Sequence, residues 1–209
     1  TDPLLCKLDY TIKSELDSDD IGTNAFFEAC IHKMSKLILK MLDTYPEYYN
    51  FDLIQPMSND TVLMIVCRNK MTEVALRMLE IEPMSCNLIH TNNNIQTVLL
   101  VACAYNLPQV ALKLLEYKEL TFNVDSNDSY TIYTCIHFAI SDSSLMEVVL
   151  LMLNIIEQSN IENYRKVSIY RQILSTNYYS LRHNKIQSRM ETVHNFPWIF
   201  ICCTETVKR

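Results

Sequence analysis

The side chains best able to do chemistry in this 209-residue chain are five histidines and eight cysteines, and their spacing argues against most of what they could do. Zinc sites and redox centres announce themselves as closely spaced cysteine pairs. Cys6, Cys30, Cys67, Cys86, Cys103, Cys135, Cys202 and Cys203 form no C-x-x-C pair, so no metal site is expected. His32 and His90 stand alone, and His183 and His194 lie eleven apart with no carboxylate in a helical relation, so no general-base constellation emerges. The single glycine, Gly22, excludes a G-x-S-x-G nucleophile elbow and the glycine-rich loops that cradle phosphates. The expectation is a non-catalytic chain with no cofactor.

What must position any functional surface is then a packed core. With 49% hydrophobic residues, 20% charged and a net charge of −6, the composition is that of an ordinary globular chain. The scarcity of glycine favours helices over short-turned hairpins. Cys30, Cys67 and Cys103 fall in apolar helical stretches, where a free thiol acts as a small hydrophobe, so reduced thiols and a cytoplasmic location are expected. The longest apolar run, Val98 to Tyr105, falls far short of the ~18 residues a membrane span needs, so no membrane partner is expected. The first residue, Thr1, is the start expected of a processed chain or a fragment.

The chain repeats itself. The segment from Val66 to Glu80 aligns without a gap on Ala102 to Glu116, an offset of 36 residues. The frame extends upstream to Ala29-Cys30 and Met41-Leu42-Asp43, and downstream to Ala139-Ile140 and Met152-Leu153 with one extra residue near Ser143-Ser144. Four copies result, whose last leucines Leu42, Leu79, Leu115 and Leu153 are 37, 36 and 38 residues apart. Each copy holds a short apolar segment, such as Val62 to Cys67 or Val98 to Cys103, and a second with helical spacing, which predicts an antiparallel helix pair. Pro108 marks a helix start, because proline belongs in the first turn. The polar linkers Ser58-Asn59-Asp60, Thr91 to Asn94 and Asp125 to Asp128 are expected to be exposed tips.

Each linker leads to a threonine and an apolar pair: Thr61-Val62-Leu63, Thr97-Val98-Leu99 and Thr134-Cys135-Ile136, the last running on as His137-Phe138-Ala139. This resembles the ankyrin repeat, whose first helix opens on T-P-L-H-x-A and whose period is 33. Thr134, Ile136, His137 and Ala139 match that signature with cysteine in place of proline; Thr97, Leu99 and Ala102 match in the third copy, Thr61 and Leu63 in the second. The first copy keeps little beyond Ala29. The resemblance implies an all-α ankyrin-repeat solenoid of antiparallel helix pairs with hairpin-like fingers. It covers residues 23–157, after a leader or cap over 1–22 and before a divergent C-terminal helical cap or degenerate fifth repeat over 158–209. Where the family places glycine between its helices this chain has Lys33, Lys70 and Asn106, so the turn is expected to depart from the consensus. The low glycine and abundant asparagine, isoleucine and tyrosine are similar to the ankyrin arrays of AT-rich giant DNA viruses, implying host cytoplasm or a virion.

The resemblance also implies what the chain binds: another protein, held in a concave groove made by inner helices and finger tips. In this sequence the corresponding positions are Ile65, Arg68, Asn69, Val101, Tyr105, Phe138 and Asp142 on the inner helices, with Asn93 and Asn127 at the tips. Ile65, Val101 and Phe138 are expected to form an apolar stripe rimmed by the polar members. His137 occupies a slot the family uses structurally. Residues 1–160 carry ten basic against twenty-one acidic side chains, and 161–209 carry eight against three. A helical cap is favoured for that basic tail over an arm contacting nucleic acid, because the last turn of a solenoid exposes an apolar face that needs covering. The alternatives to a protein-binding scaffold are an adaptor recruiting a host target and a structural component of a virus particle that self-associates.

Overall fold

The computed structural model describes residues 25–44, 46, 49–121, 129–140, 142–159 and 166. The leader 1–22, the linker 125–128 with Asn127, and nearly all of the basic tail lie outside the described residues. The chain divides into two compact units, 1–122 and 123–209. Both are helical, with no strand among the described residues.

In the first unit the helices come in pairs: α1 (Ala25–Ile31) with α2 (Ser35–Thr44), α3 (Val62–Arg68) with α4 (Thr72–Ile81), and α5 (Val98–Ala104) with α6 (Pro108–Leu115). A short α7 (Lys118–Thr121) follows. The pairs stack like on like: α3 packs against α1 and α5, and α4 against α2 and α6. That position explains the composition of α3. Flanked on both sides by its equivalents and backed by α4, it buries all six residues from Val62 to Cys67, whereas α4 buries one stripe, Val74, Ala75, Met78 and Leu79. At seven residues, α1, α3 and α5 are too short to persist alone, so packing holds them. Each fully buried leucine contributes about 1.5–3 kcal/mol of transfer free energy. Leu42, Leu79 and Leu115, the periodic leucines of this unit, are all in the core.

Helix starts and stops are set locally. The Thr61 hydroxyl accepts the Met64 N–H (3.2 Å) and the Thr97 hydroxyl accepts the Leu100 N–H (3.3 Å), capping α3 and α5. Pro108 is the first residue of α6, as its missing N–H dictates. The turns between the paired helices of the first unit are left-handed. Lys33, Lys70 and Asn106 take φ of 59°, 56° and 57°, the left-handed geometry glycine would supply. The Lys70 N–H donates to Cys67 O (2.9 Å) and Met71 N–H to Val66 O (3.1 Å), a Schellman closure. Asn106 and Leu107 repeat it on Cys103 and Ala102, and Lys33 and Met34 on Cys30 and Ala29. Hydrogen bonding and packing of the neighbouring helices outweigh a steric cost of about 1 kcal/mol per side chain.

The second unit holds one described pair, α8 (Ser129–Ile140) packed on α9 (Met146–Gln158), with a 3-10 turn at Ser143–Leu145 between them. Cys135, Ile136, Ala139, Val148, Val149, Met152, Leu153 and Ile156 form its core. The Asp142 carboxylate accepts from Ser144 N (2.9 Å) and Ser144 Oγ (2.8 Å), which holds its pKa below the usual carboxylate range and caps the turn. This 3-10 turn is where the sequence carries its extra residue.

Candidate functional site

The segments between helix pairs of the first unit are the polar linkers of the sequence, closed into fingers. In the second copy Gln55 N–H donates to Asp60 O (2.8 Å), Val62 N–H to Leu53 O (3.2 Å) and Asn59 N–H to Gln55 O (2.8 Å), with a single antiparallel bridge pairing Ile54 and Thr61. In the third, the Asn92 amide oxygen accepts the Asn94 and Gln96 N–H groups (3.0 Å each), and Asn92 N–H donates to Gln96 O (3.1 Å). Each finger turns on a left-handed residue two positions before its capping threonine, Asn59 at φ 58° and Ile95 at φ 58°. Asparagine accepts that geometry; a β-branched isoleucine does so only against steric resistance.

The two fingers are bonded side by side. Asn93 donates its backbone N–H to Ser58 O (3.2 Å) and its side-chain amide to Met57 O (3.0 Å). Asn59 Nδ2 donates to Thr91 O (3.2 Å), and His90 donates from Nε2 to Asn59 O (2.8 Å), which fixes the proton on that nitrogen. At their base sits a charged cluster. Arg68 donates from Nε to Asp60 Oδ2 (2.9 Å) and from Nη2 to Asp60 Oδ1 (3.2 Å), and also reaches Gln96 Oε1 (2.7 Å) and Tyr105 Oη (3.2 Å). Its guanidinium lies 5.7 Å from the Tyr105 ring centroid. Asn92 Nδ2 closes the cluster on Asp60 Oδ1 (2.6 Å). Asp60 is only 4% exposed, and the bidentate arginine and the Asn92 amide supply the hydrogen bonds that water would otherwise give it.

Two members of the surface the sequence suggests are enclosed, and several others are engaged within the chain. Ile65 is 6% exposed and Val101 0%, so neither forms an accessible stripe. Both sit on helices with neighbours on more than one side, and i, i+3, i+4 spacing says which residues share a face without saying whether that face is covered. Arg68 and Tyr105 are tied into the cluster, and Asn69 Nδ2 donates to Cys30 O (2.9 Å), fastening the second copy to the first. Asn93 is at a tip, as expected, and its amide is spent on holding the fingers together. Asp60 and Asn92, expected at exposed tips, are buried. Phe138 is exposed and Asp142 half-buried, both in the second unit. Asn127 lies outside the described residues.

What the fingers do present is apolar. Met57 is 89% exposed and Ile95 62%, and Ile89 is also exposed. The sequence carries a matching signal: no Asp, Glu, Lys or Arg occurs between Pro83 and Leu112 or between Leu53 and Asn59. Charge is concentrated instead on the outer helices, where Arg77 pairs with Asp43 (2.9 Å) and Glu80 (3.3 Å), and Lys113 with Glu116 (2.6 Å).

Among the described residues no group of three His, Cys, Asp or Glu side chains converges as a metal site requires. Cys30, Cys67, Cys86 and Cys103 are free and buried, and burial pushes each thiol up to about 12, far from the thiolate a nucleophile or metal ligand needs. No single described helix is long and apolar enough to cross a membrane. Compared with protein-family models, curated proteins and solved structures, the chain matches none.

Proposed function

We propose that this chain is a non-catalytic ankyrin-type scaffold that binds another protein through the fingers of its second and third copies. The helix pairs closed by left-handed turns, the threonine caps and the fingers bonded across copies at separations of 31 to 36 residues support the ankyrin reading. The observation that carries the binding role is the tip itself, where a strained, exposed isoleucine and an exposed methionine stand on fingers held rigid by their own hydrogen bonds. Exposed apolar side chains on an uncharged, pre-ordered surface are what interface centres are made of, and rigidity limits the ordering entropy lost on association.

The test is affinity capture on the immobilised full chain, followed by mass spectrometry, beside the Ile95→Asp and Met57→Asp variants. Proteins retained by the parent chain and lost by both variants support the reading. A partner set unchanged by either substitution moves the site off the fingers.

A further inference from the structure

We propose that the acidic segment 1–22 of this chain docks on the open flank of the first helix pair, over Met34 and Leu37, with its carboxylates on Lys33, Lys36 and Lys40. The inference is independent of the fingers and starts from the repeat frame. Met34 and Leu37 correspond to Met71 and Val74 in the second copy and to Leu107 and Val110 in the third, by the same offsets of 37 and 36 residues. All four equivalents are buried, whereas Met34 is 49% exposed and Leu37 42%. The difference is a neighbour. α4 stacks on α2 and α6 on α4, but among the described residues no outer helix stacks on α2 from its other side. Leu37 lies about 120° round α2 from Asp43, which reaches Arg77 of α4, so it stands on the flank that α4 leaves open.

The charges beside this flank say what fits it. Where two copies stack, a base on the later outer helix meets an acid on the earlier one. Arg77 bonds Asp43 (2.9 Å). Lys113, at the place of Arg77, is held protonated above its ordinary range first by its hydrogen bond to Glu116 and further by Glu80, which stands at the place of Asp43. Lys40 is the first copy's counterpart of Arg77. It is exposed, as are Lys33 and Lys36, and none of the three forms an ion pair among the described residues. The acids nearby are engaged already, Glu28 against His32 (3.6 Å) and Asp43 with Arg77. In a chain of net charge −6 this flank is apolar and basic, so it suits an apolar, acidic occupant. Residues 1–22 carry Asp2, Asp9, Glu15, Asp17, Asp19 and Asp20 against Lys7 and Lys13, with Leu16 and Ile21 among the acids. Attachment favours them over a partner from solution. The segment leads into α1 at Ala25, that helix is about 10 Å long, and extended chain spans about 3.3 Å per residue, so the five residues before Ala25 are long enough to bring the acids to Lys33 and Leu37. An occupant so attached acts at an effective concentration on the order of millimolar.

Photo-crosslinking of the full chain decides it. A photoreactive amino acid is placed at Leu37 or, as a control on another exposed apolar site, at Met57, and adducts are mapped by mass spectrometry in a mixture of isotope-labelled and unlabelled chain. Leu37 is expected to capture peptides from residues 1–22 within a single molecule, so that both halves carry the same label, and Met57 is expected to capture them several-fold less. Combining Lys36→Glu with Lys40→Glu lowers the capture from Leu37 several-fold, and raising the salt lowers it as well. Circular dichroism of each variant confirms that it is folded. Absence of the 1–22 peptides from the Leu37 adducts overturns the inference, as does their capture only from a second molecule, equal capture from Leu37 and Met57, or a yield indifferent to both charge reversal and salt. Capture of a different protein at Leu37 in place of residues 1–22 overturns it too, and assigns the flank to that partner.

Discussion

Thr61 and Thr97 stand immediately before the seven-residue helices α3 and α5 and cap them, whereas Thr134, at the same place in the repeat frame, lies inside the twelve-residue α8. Two positions before each capping threonine the backbone is left-handed, at Asn59 and Ile95; two positions before Thr134 it is helical. The turns differ as well. Three pairs close on a left-handed Lys33, Lys70 or Asn106, and the fourth closes on a 3-10 turn capped by Asp142. A signature residue therefore has no fixed role. Threonine caps a helix when the preceding chain leaves the helical region, and is absorbed into the helix when it does not.

The comparison can be broken or sharpened by substitution, each effect read as a change in unfolding free energy by chemical denaturation. The largest effect is shared by both regions. Leu79→Ala and Leu153→Ala each remove a core leucine and are expected to cost about 3 kcal/mol. A much smaller loss at one of them shows that the repeat frame does not place its leucines equivalently. Arg68→Ala comes next, at about 2–3 kcal/mol, because it strands the buried Asp60 carboxylate; the arginine is itself partly exposed, which keeps the figure below that of a fully buried pair. A loss under about 1 kcal/mol contradicts the cluster's structural role.

Thr97→Ala, which removes a helix cap, costs about 1 kcal/mol; no loss means that α5 starts elsewhere. The smallest effect separates the two turn types by sign. Lys70→Gly stabilises by up to about 1 kcal/mol because glycine relieves the left-handed strain, whereas Ser143→Gly, in the 3-10 turn, gives no gain. Stabilisation by both, or by neither, removes the distinction.

The fold was legible where one residue type recurs with a physical reason. Apolar spacing gave the helix pairs, Pro108 the start of α6, and the 36-residue offset the partner of each helix. Less legible was anything decided by neighbours. Lysine at 33 and 70 argues locally against a left-handed turn, yet stacking imposes one. Ile65 and Val101 share faces with polar residues, and only the packing of α3 and α5 shows that those two side chains are enclosed. Arg68 and Tyr105 have the chemistry of interface anchors, but Asp60, eight residues before Arg68, claims the guanidinium. The uncharged stretch from Pro83 to Leu112 runs through the buried α5 as well as the third copy's finger, so lack of charge alone does not separate an exposed tip from a core helix.

The most direct test of the account is an NMR measurement on the full chain of nuclear Overhauser contacts between the two fingers. With the copies stacked as described, Asn93 shows cross-peaks to Met57 and Ser58, Asn59 to Thr91, and Asn69 to Cys30. Fingers that show contacts only within their own copy contradict it, and the shared apolar tip goes with them.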